Sequence, residues 1–105
     1  MLARVVDAGV ALEVCPTSNV SLGVYSTLDE VPIRQLLDAG ADVALGADDP
    51  LLFGSRLAGQ YAVLRAAQNF TDGELARLAG MSIRRSCAPD DLKAKALGGI
   101  DDWLA

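Results

Sequence analysis

The sequence predicts an α/β fold, specifically part of a parallel sheet backed by helices. Three observations carry this. Two short apolar runs, Val10–Cys15 and Asp42–Leu45, read as buried strands. A helical pattern with no hairpin turn lies between them, which is the βαβ signature of a parallel sheet. The second run climbs through Val43-Ala44-Leu45-Gly46-Ala47 to Asp48-Asp49 and is halted by Pro50, delivering acidic side chains to the carboxyl edge of the sheet, where α/β folds keep their chemistry. The same Asp-Asp-Pro stretch also reads simply as a turn that ends a strand and caps the next helix.

Each element follows in order. Met1–Asp7 carries Leu2, Val5 and Val6 on one face and is closed by Gly9, reading as the last turns of a helix. Pro16-Thr17-Ser18-Asn19 is turn chemistry after the first strand. Ser21–Leu28 is a polar loop containing Tyr25. A helix begins at Asp29 or Glu30, with Pro32 in its first turn and Ile33, Leu36 and Leu37 as its apolar stripe, and ends at Ala39-Gly40. After the second strand, Phe53, Leu57, Tyr61 and Leu64 recur at helical spacing through about Ala67. Thr71-Asp72-Gly73-Glu74 is a capping box, opening a helix with Leu75 and Leu78 that Gly80 is expected to break. Ser82–Cys87 reads as a further short helix. Pro89-Asp90-Asp91 then starts a last helix with Leu92, Ala96, Ile100 and Trp103 along one face. Tyr61 and Trp103 fit these stripes as core residues.

At 105 residues the chain is one small domain or a piece of a larger one. Its 51% hydrophobic and 22% charged residues suit a packed interior and not a disordered segment. The net charge of −5 speaks against nucleic acid, which needs clustered Lys and Arg. No apolar run approaches the ~20 residues of a membrane span, and Met1-Leu2-Ala3-Arg4 does not read as a signal peptide. The expectation is a cytoplasmic protein whose cysteines, Cys15 and Cys87, are reduced core residues. The chain contains no histidine. A self-contained zinc site, or a general base poised near neutral pH, would ordinarily use one. Two strands are also too few for a parallel sheet, so each is expected to leave an open edge and an uncovered face.

The motifs Leu12-Glu13-Val14-Cys15-Pro16-Thr17-Ser18-Asn19-Val20, Leu22-Gly23-Val24-Tyr25, Pro32-Ile33-Arg34, Leu36-Leu37-Asp38-Ala39-Gly40 and Asp48-Asp49-Pro50-Leu51-Leu52-Phe53-Gly54 resemble the zinc-dependent adenosine deaminases and their adenine deaminase relatives. Leu57 with Gln60-Tyr61, and Met81-Ser82-Ile83-Arg84, keep the same order, so the resemblance spans essentially the whole chain. It implies a C-terminal fragment of a (β/α)8 barrel: residues 1–105 as one partial domain holding the last two βα units and the C-terminal helices. The missing first units would explain why the chain opens inside a helix.

The resemblance further implies that Asp48 is a ligand to the catalytic Zn2+ and that Asp49 hydrogen-bonds a ring nitrogen of the purine. The metal lowers the pKa of a water that attacks C6, releasing ammonia and leaving inosine from adenosine. The family's His-x-His pair, third histidine ligand, glutamate proton shuttle and further histidine have no counterpart here, so no catalytic set is complete in this chain. Glu13 does not match that glutamate, and Val31 stands where the family often has histidine. The expected function is therefore a segment of a zinc-dependent purine deaminase, a hydrolase, inactive by itself. The alternative is a non-catalytic α/β remnant or module that associates with a partner chain, or with itself, through its open strand edges. A free purine site built from Asp49 and the Thr17-Ser18-Asn19 turn is the weakest reading, since half a pocket lacks preorganisation. Whether the purine is adenosine, adenine or another aminopurine is not encoded in these residues.

Overall fold

Strands β1 (Ala11–Val14) and β2 (Asp42–Leu45) pair in parallel, Leu12 beside Val43 and Val14 beside Leu45, in a computed structural model that describes all of residues 1–105. The register puts Leu12, Val14, Val43 and Leu45 on one face, and Val14, Val43 and Leu45 are buried there. Ala11, Glu13, Asp42 and Ala44 occupy the other face, where Glu13 is exposed. One face is thus covered by helices and the other is open. Both outer edges of the sheet are unpaired.

The covering layer is built from α3 (Ile33–Asp38), α5 (Leu57–Gln68) and α6 (Asp72–Arg85). Ile33, Leu37, Leu64, Phe70, Leu75, Leu78 and Met81 pack against the sheet's buried face in a single core. Helix α6 lies against β2, and α7 (Asp90–Leu104) packs on the outside of α6. Ion pairs tie the layers: Arg85 reaches Asp42 on β2, and Arg34 on α3 reaches Glu74 on α6 while stacking 4.3 Å from the Phe70 ring centre. Helix α1 (Leu2–Asp7) leads into β1 and buries no residue fully.

The structure revises several expectations. Pro16–Ser21 is a helix, α2, where turn chemistry was expected. Cys15 is its N-cap residue, Pro16 occupies the first position where its missing N–H costs nothing, and the Ser18 hydroxyl bonds back to the Cys15 carbonyl at 3.1 Å. Asp29 and Glu30 form a 3-10 turn, Leu28–Glu30, and α3 starts only after Pro32. Phe53 does not share a helix with Leu57: a one-turn helix, α4 (Pro50–Phe53), stops at Gly54 in the left-handed conformation (φ 67°) before α5 begins.

Gly80 breaks nothing, and Ser82–Cys87 is no separate helix, because α6 runs uninterrupted to Arg85. Gly80 is buried, and a Cβ there would meet the Arg84 guanidinium 3.0 Å away, so this glycine is a packing choice within a helix. The longer α6 carries Cys87 past its end, so Cys87 is exposed and not a core residue; Cys15 is half-buried, and both are free thiols. Trp103 is also not core. Helix α7 packs chiefly on α6, leaving Trp103 58% exposed. Tyr61 does pack against the core.

Candidate functional site

The carboxyl ends of β1 and β2 are held level by one bond beyond the strands, from the Gly46 N–H to the Val14 carbonyl at 2.9 Å. Past this point the two chains turn apart, β1 into α2 and β2 into the Asp48-Asp49 turn. Between them, on the open face, Glu13, Cys15, Asn19, Ala44, Gly46 and Asp48 line a groove of about 590 Å3. This is the only place where the chain gathers carboxylate, amide and thiol groups at the sheet's carboxyl edge.

Asp48 has φ 60°, a left-handed backbone that non-glycine residues seldom adopt. Asp tolerates it better than most, and such geometry persists where surrounding structure enforces it. Cys15 lies against this turn. Its sulfur sits where a Cβ on Gly46 would be only 3.1 Å away, so glycine at 46 lets the thiol lie over the strand end. Burial, and then the neighbouring Asp48 carboxylate, push the Cys15 thiol above its ordinary pKa, against the Asp48 backbone amide, which favours the thiolate.

Asp49 has a different partner set. Its Oδ1 accepts from the N–H groups of Leu51 and Leu52, each at 3.1 Å, as the N-cap of α4. The strand-ending, helix-capping reading of Asp-Asp-Pro therefore holds for Asp49, while Asp48 is the carboxylate that lines the groove. Asp49 keeps Oδ2 outside the cap. The adjacent pair is split into one structural anion and one free anion.

Asn19 lies in the groove, whereas Ser18 is buried and Thr17 is engaged in α2's N-terminus. Val31, at the position where the resemblance leads one to look for histidine, is 1% exposed and belongs to the core. No group of three His, Cys, Asp or Glu side chains converges to hold a metal ion. Asp48 offers one anionic oxygen donor, which fits as one ligand of a zinc but does not make a site, since catalytic zinc takes three protein ligands.

Gln60, which the sequence offers only as part of the resemblance, has a structural role that the motif does not reveal. It is fully buried and bonded to α2 through Thr17 and to Ser55, which follows α4. The signal was available: an amide three residues after Leu57 and four before Leu64 lies on the apolar stripe of α5, where a polar side chain needs a partner.

Comparison with known proteins bears on this geometry directly. The family profile described as adenosine deaminase matches residues 1–103. A putative adenosine/adenine deaminase of Streptomyces coelicolor is 58% identical over 104 residues, covering 99% of this chain and 30% of the relative. The solved adenine deaminase from Arthrobacter aurescens superimposes with a TM-score of 0.95 at 36% identity, over 98% of this chain and 32% of that one. An amidohydrolase from Burkhoderia ambifaria, solved with bound zinc, aligns with a TM-score of 0.75 over 98% of this chain and 31% of its own; at 21% identity this speaks for the fold alone. The chain thus spans about three tenths of the length of the proteins it matches.

Proposed function

The chain belongs to the adenosine deaminase family, its two parallel strands and helices forming the C-terminal portion of a (β/α)8 barrel, and from that membership we propose that it is a segment of a zinc-dependent purine deaminase. In this reading β1 and β2 are the last two strands of the barrel. Asp48 gives one anionic oxygen to the zinc, and Asp49 uses Oδ2 to hold a purine ring nitrogen while Oδ1 caps α4. Zinc, when bound, supplies Lewis-acid activation of water. The overall change is hydrolytic loss of the 6-amino group as ammonia, giving inosine where the substrate is adenosine.

The observation that carries the reading is the split carboxylate pair. A left-handed Asp48 lines the groove at the sheet's carboxyl edge while its neighbour is locked into the following helix. That is the edge at which barrel enzymes assemble their sites. The groove is open, with Glu13 and Ala44 on an uncovered face, and the remaining metal donors, proton shuttle and strands must come from residues outside these 105. By themselves these residues are inactive. The surface they offer to the rest of the barrel consists of the unpaired strand edges together with exposed Val10, Leu22 and Val24. The cytoplasm is the compartment this reading implies; no helix is long and apolar enough to cross a membrane.

The test is a chimera in which these residues replace the matching segment of the Streptomyces coelicolor relative. Deamination is followed by the loss of the 6-aminopurine chromophore with adenosine and with adenine. Activity with at least one of them, abolished by Asp48→Ala, is expected. A folded chimera that turns over neither, or an Asp48→Ala chimera that keeps full activity, contradicts the proposal.

A further inference from the structure

Gln60 is the one side-chain amide sealed completely inside the helical layer, with 0% exposure. Its hydrogen bonds do not serve its own helix alone. Oε1 accepts from the Thr17 N–H at 3.1 Å, across 43 residues of sequence. Nε2 donates to the Ser55 hydroxyl at 2.6 Å and reaches the Arg56 carbonyl at 3.5 Å. The orientation of the amide is unambiguous, because a backbone N–H only donates and so must face the carbonyl oxygen.

The two ends of this bridge lie on the two segments that leave the strands. Thr17 is the second residue of α2, the helix that leaves β1, and its N–H is one of the helix-start donors with no partner inside the helix. Ser55 and Arg56 close the segment that leaves β2, immediately after the α4 turn that Asp49 caps. Elsewhere α2 meets the Asp48–Ser55 segment through packing and through the Asp48 amide beside the Cys15 thiol.

We propose that Gln60 is a positioning residue for the Asp48–Asp49 site, fixing the loop after β1 against the loop after β2. The inference rests on the functional reading above, which gives that site its role. Gln60 touches neither the groove nor any reacting group. It acts through Thr17 on one side and through Ser55 on the other. Replacing it leaves a buried N–H with no partner, so the loops relax apart, and a misplacement of about 1 Å at a remote support costs on the order of 100-fold in rate.

Gln68 supplies the control. It sits on the same helix about 12 Å further along, and its Nε2 donates to the Leu28 and Val31 carbonyls at 2.9 Å each, neither of which belongs to the groove loops. Removing it weakens the fold without touching the loops.

The experiment uses the same chimera. With Gln60→Leu, zinc content should stay at the parent level, since Asp48 is retained, while kcat/KM falls ~10- to 100-fold and KM rises. Gln60→Glu, which can still accept from Thr17 and from the Ser55 hydroxyl, should recover part of the loss. Gln68→Leu should lower the melting temperature and leave kcat and KM unchanged. Should Gln60→Leu not fold, Ser55→Ala removes a single bond of the bridge and should reproduce the rise in KM in milder form. Amide exchange at Leu51 and Leu52, the N–H groups capped by Asp49, is read in the same samples; it should quicken in Gln60→Leu, or in Ser55→Ala in its place, and not in Gln68→Leu. Unchanged exchange at these two amides overturns the inference whether or not the chimera is active, and so does a variant whose only change is its melting temperature. Absence of Asp48-dependent activity in the parent chimera overturns the functional reading instead.

Discussion

Substituting Gly46 by Ala probes the geometry of the strand end most sharply. An ideal Cβ there would stand 3.1 Å from the Cys15 sulfur, at least 0.3 Å inside ordinary contact, which begins at 3.4 Å. Cys15 has little freedom to retreat, because its carbonyl holds the Ser18 hydroxyl and the Asn19 N–H of α2. Overpacking of this kind costs about 1–3 kcal/mol. The loss of glycine's freedom in the unfolded chain returns about 0.4–1 kcal/mol. The net loss, centred on ~1.3 kcal/mol, lowers the melting temperature by about 5–10 °C in a domain of this size. Circular dichroism melts of the parent, Gly46→Ala, Cys15→Ala and the double variant complete the cycle. The double variant should be more stable than the sum of the single losses predicts, by at least ~0.5 kcal/mol. A Gly46→Ala chain as stable as the parent, or strictly additive losses, would refute the claim that the sulfur occupies the space above Gly46.

Asp49 should separate its two roles by substitution. Asp49→Ala removes the α4 cap and should cost about 1 kcal/mol of stability, whereas Asp49→Asn keeps an acceptor for Leu51 and Leu52 and should cost only a few tenths; in the chimera both should lose kcat/KM, and full activity in Asp49→Asn would deny the carboxylate a part in binding the purine. Glu74 gives a pH signature. The Thr71 backbone N–H, followed by Arg34, holds its carboxyl below the ordinary value of 4.5, so its stabilisation is present above pH 4.5 and is lost as the pH falls through the depressed folded value. Glu74→Gln should therefore melt lower than the parent at neutral pH, with the two curves converging in acid; a constant gap across the acid range would contradict the assignment.

Much of the fold was legible because its signals are local. Apolar runs bounded by Gly9 and Pro16, and by Gly40 and the Asp-Asp-Pro turn, mark β1 and β2, and the Thr71–Glu74 capping box marks the start of α6 at the right residue. What escaped depends on distant partners. Pro16–Ser21 looks like a turn because Pro, Thr, Ser and Asn favour turns in isolation; it is helical, and Gln60, 43 residues away from Thr17, satisfies a donor at its start. Gly80 looks like a breaker because a glycine weakens a helix by about 1 kcal/mol, yet the packing of α6 between β2 and α7 outweighs that cost. Trp103 reads as core on periodicity, and periodicity does not reveal whether a second element comes to cover the stripe. The Asp48-Asp49 pair was visible as chemistry, but only the backbone tells which carboxylate lines the groove and which caps the helix.

In the proposed function Asp48 is one zinc ligand, and the others lie outside these 105 residues. Zinc per chain, measured by inductively coupled plasma mass spectrometry after gel filtration, tests this in three samples: the 105-residue chain alone, the chimera, and the chimera carrying Asp48→Ala. No retained zinc in the first, one equivalent in the second and its loss in the third is the predicted result. Stoichiometric zinc on the isolated chain, or an Asp48→Ala chimera that keeps its metal, would contradict it.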